Sequence, residues 1–234
     1  MIRGKDFWEG MLQFLYPQQE KCLCCEKGLT ENEELICTFC VQEILWVPPF
    51  LCQKCGRVLK DQVDLCYQCC VTDYSFDVCR GIAVSKSAAK LLFSLEHTGC
   101  HRAAEFISRQ MAKKLHEVSW DDPVIIPVPS KKNSNNADCP IEMLAEKIGL
   151  AANVSVYKDV LCFEAFFESR QKKDQGGLID QNSRYFVKKP EMINGRNIVL
   201  IDAKWGEGAV MTLCSALLGK AGSKRIGGLV FLTV

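Results

Sequence analysis

Residues 22–69 read CLCC-EKGLTENEELI-CTFC-VQEILWVPPFL-CQKC-GRVLKDQVDL-CYQC, which places four Cys-x-x-Cys pairs in 48 residues. The gaps between successive pairs are nearly equal, at 11, 11 and 10 residues. Two residues between cysteines let one tight turn present both thiolates, and structural zinc takes four such ligands in a closed tetrahedron. The eight thiols therefore predict two structural Zn²⁺ ions. The predicted ligands are Cys22, Cys25, Cys37, Cys40, Cys52, Cys55, Cys66 and Cys69.

A redox role and a disulfide framework are both disfavoured for these cysteine pairs. A thioredoxin-like redox pair needs a strand–helix unit, and none precedes any of the four pairs. A disulfide framework needs an oxidising compartment, whereas charges interrupt the first ten residues, so that they lack the apolar core of a signal peptide. The sequence does not decide which cysteine pairs share a zinc ion. If neighbouring pairs share an ion, the module consists of two tandem ribbons; if alternate pairs share an ion, the module is cross-braced. Cys24 and Cys70 adjoin ligands and are predicted not to be ligands.

Outside this stretch the pattern changes from cysteine pairs to alternating strands and helices. We predict a double zinc-ribbon module over residues 1–75 and a second domain over residues 76–234. Apolar strands are predicted at 81–84, 124–129, 197–201 and 226–234, and helices at 88–95, 102–116, 141–148 and 209–218. This alternation predicts an α/β domain with a mainly parallel sheet. Such sheets bind ligands beyond the carboxyl ends of their strands, which singles out residues 130–138 and 202–208.

At several of these segments the chain resembles the ComF family. The similarity is carried, in order, by Phe14-Leu15-Tyr16-Pro17, Cys52-Gln53-Lys54-Cys55-Gly56-Arg57, Ile126-Pro127-Val128-Pro129, Gln175-Gly176-Gly177-Leu178 and Ile198-Val199-Leu200-Ile201-Asp202. Arg184 lies near the family's R-x-x-N segment but lacks the asparagine. The resemblance implies a competence-associated protein with a double zinc ribbon and a type I phosphoribosyltransferase-like domain, whose motif for phosphoribosyl pyrophosphate (PRPP) begins at Ile198.

The PRPP motif of this chain is degenerate. In the family it reads V-L-L-V-D-D-V-x-T-T-G-x-T: two acids bind the ribose hydroxyls, and a loop at a helix start binds the 5′-phosphate through backbone N–H groups. Here the second acid is replaced by Ala203, and the three hydroxyl positions hold Gly206, Glu207 and Val210. A carboxylate at the phosphate position repels the ligand. The residues that the resemblance assigns to this degenerate site are Asp202, Gly206, Glu207, Gly208 and Ala209.

A second stretch of the implied PRPP site has also changed. The family follows V-P-V-P with the basic stretch R-R-x-R-x-R-G-F-N-Q, which lies near the pyrophosphate and the acceptor. Residues 130–140 keep only Lys131 and Lys132 as positive charges. These lysines are predicted to complete the degenerate site, and the alternative is that they are simply solvated.

Two functions follow from the resemblance. The first is an accessory role linked to DNA uptake in natural transformation, with weak or lost PRPP-dependent transfer; the alternative is an active transferase that uses Mg²⁺, PRPP and a nitrogen acceptor. In the accessory role, the ribbons would bind DNA-uptake proteins or single-stranded DNA, for which aromatic and basic residues are candidates. These candidates are Trp46, Phe50, Lys54, Arg57, Lys60 and Tyr67.

Composition adds little to this choice. The net charge of +1 gives no general affinity for nucleic acid or membrane, and no apolar run is long enough to span a bilayer. Reduced thiols and the lack of an export signal predict a cytoplasmic location.

Overall fold

The computed structural model describes residues 20–129, 139–163, 185–206 and 208–233. Within this part of the chain, two small cysteine-rich ribbons precede an α/β domain. None of the helices described there combines the length and the apolar character that a membrane crossing needs. Several predicted features lie outside the described residues. They are Phe14–Pro17, Lys131, Lys132, Gln175–Leu178, Arg184 and Glu207.

The two ribbons repeat one construction. In each, an antiparallel bridge closes a turn around the first cysteine pair, at Lys21↔Gly28 and Leu51↔Val58. A short helix then begins within the next pair: α1 is Thr38–Leu45 and α2 is Tyr67–Val71. The residue after each first pair has a positive φ, 62° at Glu26 and 69° at Gly56. Only the second ribbon places glycine there, where a left-handed backbone costs least.

The second domain is built on a four-stranded parallel sheet in the order β1-β6-β5-β2. Its strands are β1 Val78–Ala83, β2 Pro123–Pro127, β5 Asn197–Trp205 and β6 Arg225–Thr233. A separate antiparallel pair consists of β3 Leu161–Phe163 and β4 Tyr185–Val187. The strands of the main sheet are apolar runs because both of its faces are covered. The predicted fold class, a zinc ribbon followed by an α/β domain with a parallel sheet, is confirmed.

Four longer helices cover the sheet: α3 Lys86–Thr98, α4 His101–Lys114, α5 Pro140–Ala152 and α6 Ala209–Lys220. Two 3₁₀ turns lie at Leu115–Glu117 and Pro190–Met192. The predicted end of α5 at residue 148 is wrong. The helix continues to a left-handed cap at Asn153, and Gly149 instead leaves room for Val154 and Val156, which an added Cβ would approach to 2.7 and 2.4 Å.

Each face of the sheet shares its apolar core with a different ribbon. On one face, Val199 and Phe231 belong to the cluster that holds α3, α4, α5 and the first ribbon's Cys22 and Ile44. On the other face, Ile198 and Val230 belong to the cluster that holds α6 and the second ribbon's four cysteines. The ribbons are therefore packed against the α/β domain, and the division at residues 75/76 stays a prediction about the chain's folding units.

Candidate functional site

The eight predicted zinc ligands converge in two groups of four. Cys22, Cys25, Cys37 and Cys40 form one group, and Cys52, Cys55, Cys66 and Cys69 form the other; within each group all sulfur atoms lie within 4.8 Å of one another. The Sγ atoms of Cys25 and Cys37 are 3.6 Å apart, and those of Cys55 and Cys66 are 3.7 Å apart. A tetrahedron with Zn–S bonds of about 2.3 Å has edges of about 3.8 Å. Both groups fit structural zinc, and neighbouring pairs share a site, which excludes the cross-braced arrangement.

Backbone hydrogen bonds favour the thiolate form of the first cysteine in each group. Cys22 Sγ accepts from the N–H groups of Cys24 at 3.4 Å and Cys37 at 3.3 Å. Burial raises the pKa of the Cys22 thiol, but these donors outweigh burial and lower the pKa to about 6. Cys52 is the counterpart: burial is again outweighed by backbone donors, and its pKa falls to about 7. The folded chain thus stabilises the anionic sulfur that zinc requires.

The two cysteines predicted not to be ligands lie outside both tetrahedra. Cys24 is buried beside the first group, and burial, followed by repulsion from Cys22, raises its pKa to about 12. It therefore remains a neutral thiol at pH 7. Cys70 is exposed.

At the carboxyl edge of the sheet, the strand that carries the implied PRPP motif is longer than predicted. Strand β5 does not end at Ile201 but continues to Trp205, because residues 202–205 keep the ladder to β6: Asp202 pairs with Val230, and Trp205 with Thr233. The connection to α6 is therefore Gly206–Gly208 alone. The loop that was predicted to span residues 202–208 is mostly strand.

Asp202 keeps its side chain at this edge, partly exposed. Its Oδ1 accepts a hydrogen bond from the N–H of Ala203 at 2.7 Å. Burial raises the pKa of Asp202 to about 6, and the nearby carboxylate of Glu96 acts in the same direction. Ala203 itself is buried in the core on the opposite face of the sheet. A second acid at position 203 would therefore enter an apolar cluster.

Trp205 fills the space between the strand end and the helix start. Its indole is 2 % exposed and stands edge-on to Phe76, with ring centroids 5.6 Å apart. Tyr74 stacks on Phe76 at 5.0 Å and links the group to the second ribbon. Gly208, at φ +79°, is the N-cap of α6 and lies directly against the indole: an added Cβ would lie 2.5 Å from Trp205 Cζ2. Ala209 is the first residue of α6, and the described part of its first turn contains no acidic residue.

Sequence reasoning missed this aromatic cluster, although one signal was present. A tryptophan directly before Gly206 in a supposed phosphate loop marks a position where a large side chain must be packed. Its partners, Tyr74 and Phe76, lie about 130 residues earlier in the chain. Only the fold brings them together.

The six ribbon residues predicted as DNA contacts have different environments. Trp46 and Tyr67 are exposed. Lys54 Nζ instead donates to the Tyr74 carbonyl at 3.2 Å, and Arg57 holds a buried Nε without a hydrogen-bond partner. Phe50 is half-buried and Lys60 is exposed.

Comparison with known proteins identifies the ribbons by sequence. The double zinc ribbon domain matches residues 11–70 of this chain. No curated protein matches the chain.

Solved structures similar to this chain include phosphoribosyltransferases. The glutamine PRPP amidotransferase of B. subtilis has a TM-score of 0.40 at 13 % identity, with 56 % of this chain and 26 % of that chain covered. Adenine phosphoribosyltransferase of Thermoanaerobacter pseudethanolicus has a TM-score of 0.40 at 9 % identity, covering 58 % and 83 %. The Giardia lamblia enzyme in complex with 9-deazaadenine has a TM-score of 0.37 at 15 % identity, covering 70 % and 80 %. All three TM-scores lie below 0.5, so these likenesses say nothing about activity.

Proposed function

We propose that this chain is an accessory protein of phosphoribosyltransferase ancestry in which PRPP-dependent transfer is weak or lost. Through its resemblance to the ComF family, its accessory role is linked to DNA uptake in natural transformation. Under this proposal the zinc ribbons provide the surface that binds partners, and the α/β domain supports the ribbons.

The packing of Trp205 carries the proposal. A 5′-phosphate needs open space at a helix start, where free backbone N–H groups point at the anion. At the start of α6 that space holds an indole, which contacts Gly208 and is anchored by Phe76. Because the ring is buried in the same cluster as the second ribbon, moving it out of the way would disrupt that packing.

The ribose side of the implied site is weakened as well. Asp202 is its single acid, and Ala203 is buried away from the edge. Losing one hydrogen bond to a charged partner costs about 1.5–3 kcal/mol, which is about tenfold to a hundredfold in affinity. The carboxylate of Glu207 adds a charge of the wrong sign to the implied phosphate position.

The alternative function, an active Mg²⁺-dependent phosphoribosyltransferase, is favoured by two observations. The start of α6 bears no side-chain cap, and Asp202 stays partly exposed at the strand edge. Under this alternative, Asp202 binds the ribose and the backbone of residues 206–209 binds the phosphate. The acceptor would be a nitrogen compound.

Calorimetry with PRPP and Mg²⁺ tests the two functions. We expect no saturable binding to the unaltered chain below millimolar PRPP, whereas an adenine phosphoribosyltransferase titrated in the same buffer serves as the positive control. Micromolar binding that Asp202→Asn abolishes would contradict the proposal and establish a working PRPP site.

A variant without the indole tests whether Trp205 prevents PRPP binding. We would combine Trp205→Ser with Gly206→Thr and Glu207→Thr, and confirm folding by circular dichroism. Position 203 is left unchanged because an aspartate there would be buried. A gain of at least tenfold in PRPP affinity over the unaltered chain supports the obstruction argument. No gain in a folded variant means that Trp205 is not what prevents binding.

A further inference from the structure

Exposed apolar side chains are concentrated on the ribbons. Among the described residues, twelve large hydrophobic side chains are exposed, and nine of them lie between residues 39 and 71. Concentrated apolar surface usually marks an interaction site, whereas single exposed apolar residues do not. The nine are Phe39, Leu45, Trp46, Val47, Val58, Val63, Leu65, Tyr67 and Val71.

Four of these side chains lie in helix α1 of the first ribbon or directly after it. One side of α1 places Cys40 and Ile44 in the core, at 1 % and 0 % exposure. Phe39 and Leu45 of the helix and Trp46 directly after it are 72 %, 42 % and 57 % exposed. Trp46 is the C-cap of α1, in extended backbone at φ −66° and ψ 125°, so the exposed apolar side chains continue past the helix end. We refer to Phe39, Leu45, Trp46 and the following Val47 as the α1 outer face.

The helix cannot rotate to bury this face, because its other contacts are fixed. Glu33 caps the start of α1 by accepting from the Thr38 N–H at 2.5 Å and the Thr38 hydroxyl at 2.9 Å. Backbone bonds from Thr30 and Thr38 lower the pKa of Glu33 to about 2, so the cap stays ionised at neutral pH. On the inner side, the Ser87 hydroxyl of α3 donates to Glu43 at 2.7 Å.

The net charge of the first ribbon is negative. Residues 20–45 contain six acidic and two basic side chains. Zinc held by four thiolates adds a net charge of about −2 to the same ribbon, since four anionic sulfurs outweigh one Zn²⁺. A phosphate backbone would be repelled by this surface, because binding of nucleic acid depends on neutralising phosphates with lysine and arginine. A cationic partner would be attracted.

We propose that the α1 outer face docks a basic, amphipathic segment of a partner protein. Apolar side chains of the segment contact Phe39, Leu45 and Trp46, while its lysines or arginines lie against the acidic residues of the first ribbon. Aromatic anchors surrounded by charges of one sign are typical of grooves and faces that take such segments. This inference rests on the accessory role proposed above and assigns the chemistry of the partner. Single-stranded DNA is disfavoured as the occupant of this ribbon.

Fluorescence anisotropy with defined probes tests the proposal on the full zinc-loaded chain. The probe that represents the proposed partner is a labelled helical peptide with leucines on one side and lysines on the other. Two control probes are a labelled peptide with glutamates in place of the lysines and a labelled oligo-dT. We expect the lysine peptide to bind, the glutamate peptide to bind at least tenfold more weakly, and oligo-dT to bind no better than the glutamate peptide.

Matched variants locate the binding. Phe39→Ser with Trp46→Ser should weaken the lysine peptide at least tenfold. Phe93→Ser, which removes a similarly exposed aromatic residue on α3 at 59 % exposure, should leave binding unchanged. Glu31→Lys should weaken binding and reduce its dependence on salt. Equal binding by the unaltered chain and the double variant would overturn the proposal.

Different occupants of the face give different results. Tighter peptide binding after deletion of residues 2–19 would show that the chain's own N-terminal segment occupies the face. A dimer that Phe39→Ser with Trp46→Ser abolishes would assign the face to a second copy. Oligo-dT binding that the same substitutions abolish would assign it to DNA. Each of these results overturns the proposal without changing the PRPP measurement, so failure here is separable from failure of the lost-transferase function.

Discussion

The two zinc ribbons share one cysteine pattern but join the α/β domain differently. The first is joined mainly through side chains: Ser87 donates to Glu43, and Arg102 forms an ion pair with Glu20 at 3.2 Å. The second is joined through backbone, since the Cys79 N–H on β1 donates to the Lys54 carbonyl at 2.7 Å. Gly56 makes this approach possible, because an added Cβ would lie 2.8 Å from the Cys79 carbonyl oxygen. The second ribbon thus forms part of the same core as the implied PRPP edge, and the first leaves a helix face in solvent.

Removal of both metals should have the largest effect on the molecule. Zinc binding supplies about 10–16 kcal/mol to a small Cys₄ site, which is comparable to the whole stability of a domain. Because both apolar clusters contain ribbon cysteines, we expect chelation to lower the melting temperature of the α/β domain as well. Metal analysis should find about two equivalents of zinc per chain, and the chelator pre-saturated with zinc is the control. Retention of a cooperative, unshifted melt after metal loss would show that the ribbons fold independently.

Loss of one metal at a time should distinguish the contributions of the two ribbons. Cys55→Ser in the second ribbon should increase hydrogen exchange at residues 203–206, because Trp205 packs in the cluster that contains Cys55. Cys25→Ser in the first ribbon should increase exchange in α1 and leave residues 203–206 protected. Hydrogen exchange followed by mass spectrometry measures both. Equal effects of the two variants at residues 203–206 would contradict the asymmetry between the ribbons.

Local chemistry explains which parts of this molecule were predictable. The zinc groups were predictable from the sequence, because each tetrahedron is built from two cysteine pairs whose internal spacing is set by one tight turn. The parallel strands were predictable from apolar runs, although the extension of β5 to Trp205 was not, since it depends on pairing with β6. The position of Trp205 depends on Phe76, which is distant in sequence, and the burial of Ala203 depends on which face of β5 meets α3–α5. Such features depend on tertiary contacts, which local sequence patterns do not predict.

A substitution at Gly208 tests the packing at the edge where the second ribbon meets β5. Gly208→Ala should destabilise the chain by about 2–4 kcal/mol, because it adds a methyl group against Trp205 and requires a positive φ of an alanine. Gly206→Ala is the matched control: an added Cβ there meets nothing within 4 Å, so its effect should stay within about 0.5 kcal/mol. Denaturant unfolding measures both free energies. Equal stabilities of the two variants would mean that the indole does not occupy the start of α6.

The smallest expected effect concerns the charge of Asp202 on the same edge. Burial raises the pKa of this carboxyl to about 6 in the folded chain, above the ordinary value near 4 that it has when unfolded. Below pH 4 both states hold the proton, and Asp202→Asn should change the free energy of unfolding little. As the pH rises from 4 to 6 the unfolded state releases its proton first, so the unaltered chain loses stability that the variant keeps.

Two pKa units correspond to about 3 kcal/mol, so the advantage of Asp202→Asn should reach about 2–3 kcal/mol and level off above pH 6. The asparagine can still accept the Ala203 N–H, which leaves charge as the main difference. Asp73→Asn, at an exposed aspartate, is the matched control for the loss of one carboxylate. An advantage that is already full at pH 4 would show that packing, not ionisation, separates the variant from the unaltered chain. It would also remove the argument that Asp202 is held at the edge at a cost in stability, as residues that bind ligands often are.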